Sequence, residues 1–396
     1  MSEQIDVKQN KEDSKLISFI LVYFIVNTLN LFLKSGIRVP NQYWNIITIA
    51  GSIIMMISLL RCFHIIIKKT GRPFLYIEMI SIMVFITSYM REDIIESLLF
   101  EDAFWTMFVG IPLACATCAV VNKQKLLDSL HVVSYVLIFM LSYNLISIQF
   151  TGSQYDMATG YAMVIPVIVL LQFFFKKKTK LDLIVAMFSI VEILIFASRG
   201  ALLPILLCVL LNLLFYEGNN WKRLVYALLF GLIVFVVFTR LETILSFLST
   251  LLRRRSLNSY SLQRLINGSF LENKARTELF GYYINKINEK LFWGWGVTGG
   301  WIAEGSGPHN MLLEIILAFG VVIGGLFALY VVLQFVKVLI WGQNHNEGLT
   351  TIFALYSIVL LFVSGNWMLK PEVFIFLGLS AGCKGKITFN IGGKAT

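Results

Sequence analysis

Charge is scarce in this chain. Of 396 residues only 14% are Asp, Glu, Lys or Arg, while 57% are hydrophobic and the mean hydropathy is +0.77. A soluble globular protein carries roughly 25% charged residues, so the shortage excludes that class and points to a bilayer. Cysteine is nearly as sparse. Cys62, Cys115, Cys118, Cys208 and Cys383 are too few and too scattered for a disulfide framework. The Cys115/Cys118 pair supplies only half a zinc site and lies in the apolar run "IPLACATCAVV", so both read as packing residues. No P-loop, dinucleotide fingerprint or H-E-x-x-H is present, which leaves no nucleotide cofactor or zincin chemistry to argue from. The acidic stretch "REDIIESLLFED" (91–102) is a weak candidate for a divalent metal, and we expect no metal and no cofactor.

What is there is apolar and punctuated. Apolar runs fall at 15–33, 43–67, 74–90, 103–121, 126–150, 158–175, 181–197, 201–216, 223–247, 309–336, 349–366 and 371–382. At ~20 residues per crossing they predict an all-α polytopic membrane protein with about 12 transmembrane helices. The first run has no small-residue cleavage site after it and reads as a retained anchor. With the N-terminus in the cytoplasm, the basic loops 68–72, 122–125, 176–180 and 219–223 all fall inside, as the positive-inside rule requires. The tail 383–396 falls inside too, and the basic excess of 33 − 23 = +10 suits anionic lipid headgroups better than nucleic acid. The expected division is therefore 1–239 with nine spans, a large external loop 240–308, three spans over 309–382, and a cytoplasmic tail.

That loop is basic although it lies outside. It holds Arg240, Arg253, Arg254, Arg255, Arg264, Lys274, Arg276, Lys286 and Lys290 against Glu242, Glu272, Glu278, Glu289 and Glu304. Loops beyond ~60 residues escape the topological rule, so the excess needs another reason, such as an anionic substrate anchored in lipid. Within it, 275–292 has helical periodicity, with Leu279, Phe280, Tyr283, Ile284, Ile287 and Leu291 on one stripe. The plain reading is an amphipathic helix lying in the interface with Arg276 snorkelling from its apolar side.

Four polar features stand out. "FASRGALLP" splits a stretch long enough for two spans, and puts Ser198 and Arg199 at an outer turn; there a guanidinium either stays at the headgroups or grips a phosphate through two parallel hydrogen bonds. Arg276 is the second. The third is "GPHN": Pro308 fits the first position of a helix, which places His309 and Asn310 in a first turn whose free N–H groups favour an anion. The fourth is the acidic residues within spans, Glu78, Glu192 and Glu314. Glu192, two turns before Arg199, is expected to neutralise it, and Glu314 to orient a substrate hydroxyl or the His309 imidazole. The "GWG" at 294–296 has no lysine and reads as a turn, not a phosphate cradle.

In order, "SRGALL" (198–203), the run from Arg276 to "GWG", and "PHNMLLEIILAFGVVIGGLF" (308–327) with Gly320 and Gly324 resemble the O-antigen polymerase/ligase superfamily of Wzy-type polysaccharide polymerases. The resemblance covers roughly 181–336; the first half is similar only in its spans. It implies a GT-C-like fold in the bacterial cytoplasmic membrane and a metal-independent, inverting glycosyltransferase fed by undecaprenyl-pyrophosphate-linked oligosaccharides. It further implies that Arg199 and Arg276 bind the pyrophosphate and that His309 lies at the reacting centre, with Ser198, Asn310, Glu314 and Glu192 around the substrate. Membrane lipids, a flippase and a chain-length regulator are the expected partners, with no nucleic acid. Arg254 and its neighbours fall outside the family motif and suit anionic repeat units or headgroups, headgroups being the better fit. A ligase passing a finished glycan to another acceptor, and a flippase for lipid-linked sugars, are the competing readings.

Overall fold

A computed structural model describes residues 2–37, 39–91, 93–151, 157–196, 198–214, 220–254, 274–302, 307–341, 348–362 and 366–382. Every extended regular element among them is helical, and no strand is formed. The helices are α1 (Ser2–Leu31), α2 (Trp44–Thr70), α3 (Arg72–Tyr89), α4 (Glu96–Phe104), α5 (Ile111–Ala119), α6 (Lys123–Thr151), α7 (Met157–Ala162) and α8 (Val164–Lys177). They continue with α9 (Lys180–Ile195), α10 (Arg199–Leu214), α11 (Asn220–Thr239), α12 (Leu241–Arg254), α13 (Lys274–Glu289), α14 (Met311–Trp341), α15 (Gly348–Phe362) and α16 (Pro371–Gly382). Among the described residues, six helical stretches are long and apolar enough to cross a bilayer, and three shorter helices are apolar. The chain is a multi-pass helical membrane protein.

The bundle is organised around α8, whose residues from Val164 to Phe173 are all buried. α6, α9, α10 and α15 surround it, while α1 packs on α2, α5 and α6, and α16 packs on α5, α14 and α15. α2, α3 and α11 turn Ile49, Ile53, Met83, Leu228 and Phe235 outward, the pattern of helices that meet lipid on one face. One end of the bundle gathers the basic loops. Asp13 of α1 accepts hydrogen bonds from the N–H groups of Val121 (3.2 Å) and Asn122 (2.8 Å) and from Lys69 (3.2 Å). Lys125 reaches Asn10 at 2.6 Å, and Lys177 lies 3.8 Å from Asp128. The loops 68–72, 122–125 and 176–180 therefore meet at one end, as the charge alternation predicts.

Two boundaries differ from the hydropathy reading. The run expected over 223–247 ends as a helix at Thr239; beyond Arg240 the polar residues Thr243, Ser246 and Thr250 share one side of the separate helix α12. The run 158–175 breaks at Met163 between α7 and α8. Pro166 explains it, because its ring clashes with the carbonyl four residues back and it has no N–H to offer Ala162.

The largest departure is inside α14. Expected as one span, it is two helices joined at Gly320, which has φ 76° and ψ 174°. That region is essentially closed to residues with a Cβ. Gly324 comes so close to the first half that an added Cβ would sit 2.7 Å from the Ile315 carbonyl, nine residues back, so the bend is sharp. Met311–Phe319 is a half-helix about 13 Å long, and Val321–Trp341 alone, at about 31 Å, suffices to cross the hydrocarbon.

A break within an apolar helix frees backbone groups that lipid cannot satisfy. The "LFWGWG" stretch satisfies them. Trp295 N donates to Leu317 O (2.8 Å), Gly296 N to Ala318 O (2.9 Å), and Val321 N donates to Leu291 O (2.7 Å) instead of to its own helix. A Cβ at Gly320 would lie 2.1 Å from Phe292 O, so nothing larger than glycine fits. Gly320→Ala is therefore expected to lose about 1–3 kcal/mol from backbone strain alone, and more from the clash. Gly325→Ala, which meets nothing within 4 Å, should be neutral or stabilising by up to about 1 kcal/mol. Melting of the two purified variants in detergent checks both.

Candidate functional site

The stretch 294–302 is the hub of the end opposite the basic loops. Gly294, Gly296, Thr298 and Gly300 all have positive φ, which coils the chain tightly enough to fit between α3 and the bend in α14. Arg91 at the end of α3 donates to Gly294 O (2.6 Å), Val297 N donates to the Ser88 hydroxyl (3.0 Å), and Gly300 N donates to Asp93 O (3.3 Å). Trp295 is buried, its indole N–H donating to Lys286 O (2.7 Å), with the ammonium groups of Lys286 and Lys290 4.5 and 3.8 Å from its ring centre. The "GWG" stretch, expected as a turn, is irregular backbone between two turns and clamps a broken helix.

Helix α13 covers this clamp. Tyr283, Ile287, Trp295 and Leu317 form one buried cluster, with Leu279, Leu313 and Ile316 against it. Ile284 and Leu291, expected on the same stripe, are 49% and 38% exposed. The buried face is narrower than the stripe because the half-helix Met311–Phe319 is what it covers. Burial pushes the Tyr283 hydroxyl up to about 12, and the Glu289 hydrogen bond at 3.0 Å raises Lys286. The Lys286 charge over Trp295 therefore persists through neutral pH.

At the start of the half-helix the register differs from expectation by three residues. The helix begins at Met311, not Pro308, and Asn310 is its N-cap: its side-chain oxygen accepts from Leu312 N (3.0 Å) and Leu313 N (3.1 Å). His309 lies before the cap, exposed, with φ 51°. The first-turn N–H groups expected to face an anion are in part taken by Asn310 itself. Glu314 is 7% exposed, and its carboxylate accepts from Trp367 N at 3.4 Å. It lines a small cavity of about 10 Å³ with Thr298, Trp301, Leu317, Trp367 and Met368. Asp102 lies behind the same turn, accepting from Asn366 Nδ2 at 2.6 Å. The other oxygen of Asp102 and the hydroxyl of Thr298 are buried with no hydrogen-bond partner among the described residues.

Ser198 belongs to a second group. It is buried, donates to Met157 O (2.9 Å), and packs so closely on Gly160 that a Cβ there would lie 2.2 Å from its oxygen. Arg199 is the first residue of α10 and Arg276 the third of α13; their side chains lie outside the described residues. Glu192 accepts from the Ser142 hydroxyl of α6 at 2.8 Å, and its other oxygen has no partner among the described residues; the Arg199 side chain expected beside it lies outside them. Arg254 is exposed in the last turn of α12, while Arg255 falls outside the described residues. Among the described residues, no three His, Cys, Asp or Glu side chains gather as a metal site. Cys115 is buried and Cys118 exposed.

Sequence reading missed three participants. Thr298 sits in a glycine-rich stretch with no periodicity to mark it, and Asp102 was grouped with an acidic loop. Asp182, at the basic end, receives His131 Nε2 at 2.7 Å and the hydroxyls of Tyr135 and Thr179; its place beside "KKKTK" was the only hint. The Asn310 cap is testable by melting: Asn310→Ala should cost about 1 kcal/mol and Asn310→Asp should restore most of it.

No protein-family model matches the chain, and no curated protein matches it either.

Proposed function

We propose that the protein is a polysaccharide polymerase of the bacterial cytoplasmic membrane, joining undecaprenyl-pyrophosphate-linked repeat units on the outer face. The reading takes the hub end as external, both termini as cytoplasmic, and about twelve crossings. One observation carries it: the helix that includes Arg276 packs on the half-helix that His309 and Asn310 precede, with the "GWG" stretch bonded into the break at Gly320. The motif elements that are separated in sequence thus belong to one assembly. Ser198 and Arg199 open α10, which follows the hairpin from α9.

In this reading an acceptor hydroxyl attacks the anomeric carbon of the donor from the face opposite the pyrophosphate. The anomeric carbon–oxygen bond breaks and its electron pair leaves on the pyrophosphate. Arg199 and Arg276 hold that anion, and preorganised cations in a water-poor site stabilise the charge as it develops. His309, in front of the half-helix, contacts the reacting centre. Energy is already stored in the lipid-linked donor, which fits the lack of any nucleotide-binding motif.

Transport of a lipid-linked sugar is the second reading, and the bend at Gly320 favours it, because broken helices are a transporter feature. The two differ in what they need. A polymerase extends lipid-linked repeats into a ladder in detergent, whereas a flippase acts only across a sealed bilayer. Transfer of one finished chain to a different acceptor, with no ladder, identifies a ligase.

The polymerase reading predicts that Arg199→Lys and Arg276→Lys each lower chain formation about a hundredfold while the protein still inserts, since a point charge does not replace a two-pronged guanidinium. His309→Ala should also stop elongation, and the Cys115→Ser/Cys118→Ser double variant should not. Gel analysis of products from purified variants measures all four; full-length ladders from both arginine variants contradict the assigned roles.

A further inference from the structure

The cavity lined by Trp301 contains one polar group with no described partner and another that is only weakly bound. Thr298 is 3% exposed, its hydroxyl has no partner among the described residues, and it holds a left-handed φ of 60° that a β-branched residue adopts only under constraint. Valine would fill the same shape without burying an unpaired hydroxyl, so packing does not account for threonine here. Glu314 lines the same space, and among the described residues its carboxylate accepts only a long 3.4 Å contact from Trp367 N. The volume of about 10 Å³ takes one hydroxyl or one water and no more. Trp301, half-buried, and Trp367 line it, and an indole face is a suitable surface for the apolar side of a sugar ring.

We propose that this cavity receives the attacking hydroxyl of the acceptor sugar, held by Thr298 and Glu314, and that the Glu314 carboxylate takes its proton. This rests on the sugar-transfer reading above. The hydroxyl oxygen forms the new bond to the anomeric carbon of the donor. The bond from that carbon to the pyrophosphate oxygen breaks, the electron pair departs with the pyrophosphate, and the proton moves to Glu314 and then to water. The sugar ring stays against Trp301, and His309 is left to the diphosphate.

The test uses the purified full-length protein, lipid-linked repeat units extracted from the source cells as donor, and a water-soluble repeat oligosaccharide as acceptor. Glu314→Gln keeps an oxygen for Trp367 N–H and Thr298→Val keeps the shape, so both should melt with the wild type. Glu314→Gln is expected to lower kcat at least about a hundredfold with binding of the lipid donor unchanged. Thr298→Val is expected to raise the acceptor KM roughly tenfold, and Thr298→Ser to restore it. If both variants elongate as the wild type does, the cavity holds a buried water only: the inference fails and the polymerase reading stands. If Glu314→Gln does not fold, the valine and serine pair decides alone. A wild-type protein that makes no polymer sinks the sugar-transfer reading and the inference with it.

Discussion

Backbone groups freed inside a membrane protein must find partners in the protein, and at Gly320 they find them in a loop. Three hydrogen bonds, from Trp295 to Leu317, Gly296 to Ala318 and Val321 to Leu291, close the gap. Everything at this end depends on that splice. It holds the half-helix Met311–Phe319 apart from the span that follows, and it anchors the stretch 294–302 between α3 and α14. It also gives α13 a surface to cover. The same close fit explains why two glycines face each other across it: a Cβ at Gly294 would lie 2.5 Å from Ala318 O, and one at Gly320 2.1 Å from Phe292 O.

The splice has a chemical consequence. Residues around the half-helix are held by backbone contacts on both sides, so the Asn310 cap, Glu314 and Thr298 sit on a stiff support. Stiffness of this kind is what a transfer site needs, because charge in a water-poor pocket is stabilised only by groups already in place. The opposite end is built differently. There Asp13, Lys69, Lys125 and Lys177 tie helix ends together through charged contacts that shape the bundle.

Much of the fold could be read from composition. Scarce charge and long apolar runs predict helices in a bilayer, and the basic loops 68–72, 122–125 and 176–180 do meet at one end. The periodicity over 275–292 yields α13 nearly to its boundaries. What failed to show were features set by partners far along the chain. Gly320 in an apolar run looks like a packing glycine; only Phe292, 28 residues earlier, reveals it as a break. Pro308 matched a helix start, yet Asn310 outcompeted it because its side chain satisfies two N–H groups at once. Glu192 also accepts a hydrogen bond from Ser142 on another helix, a partner that no local spacing reveals. The cavity joins Thr298, Glu314 and Trp367 across three segments, and no local pattern encodes such a meeting.

The claim that the end of the half-helix is the reacting centre is tested most directly by a cryo-electron microscopy structure with a lipid pyrophosphate-linked repeat unit bound. The account predicts diphosphate density in front of Met311, gripped by Arg199 and Arg276 and within hydrogen-bond distance of His309. Diphosphate density among the lysines at the other end of the bundle, or far from all three of these side chains, would contradict it.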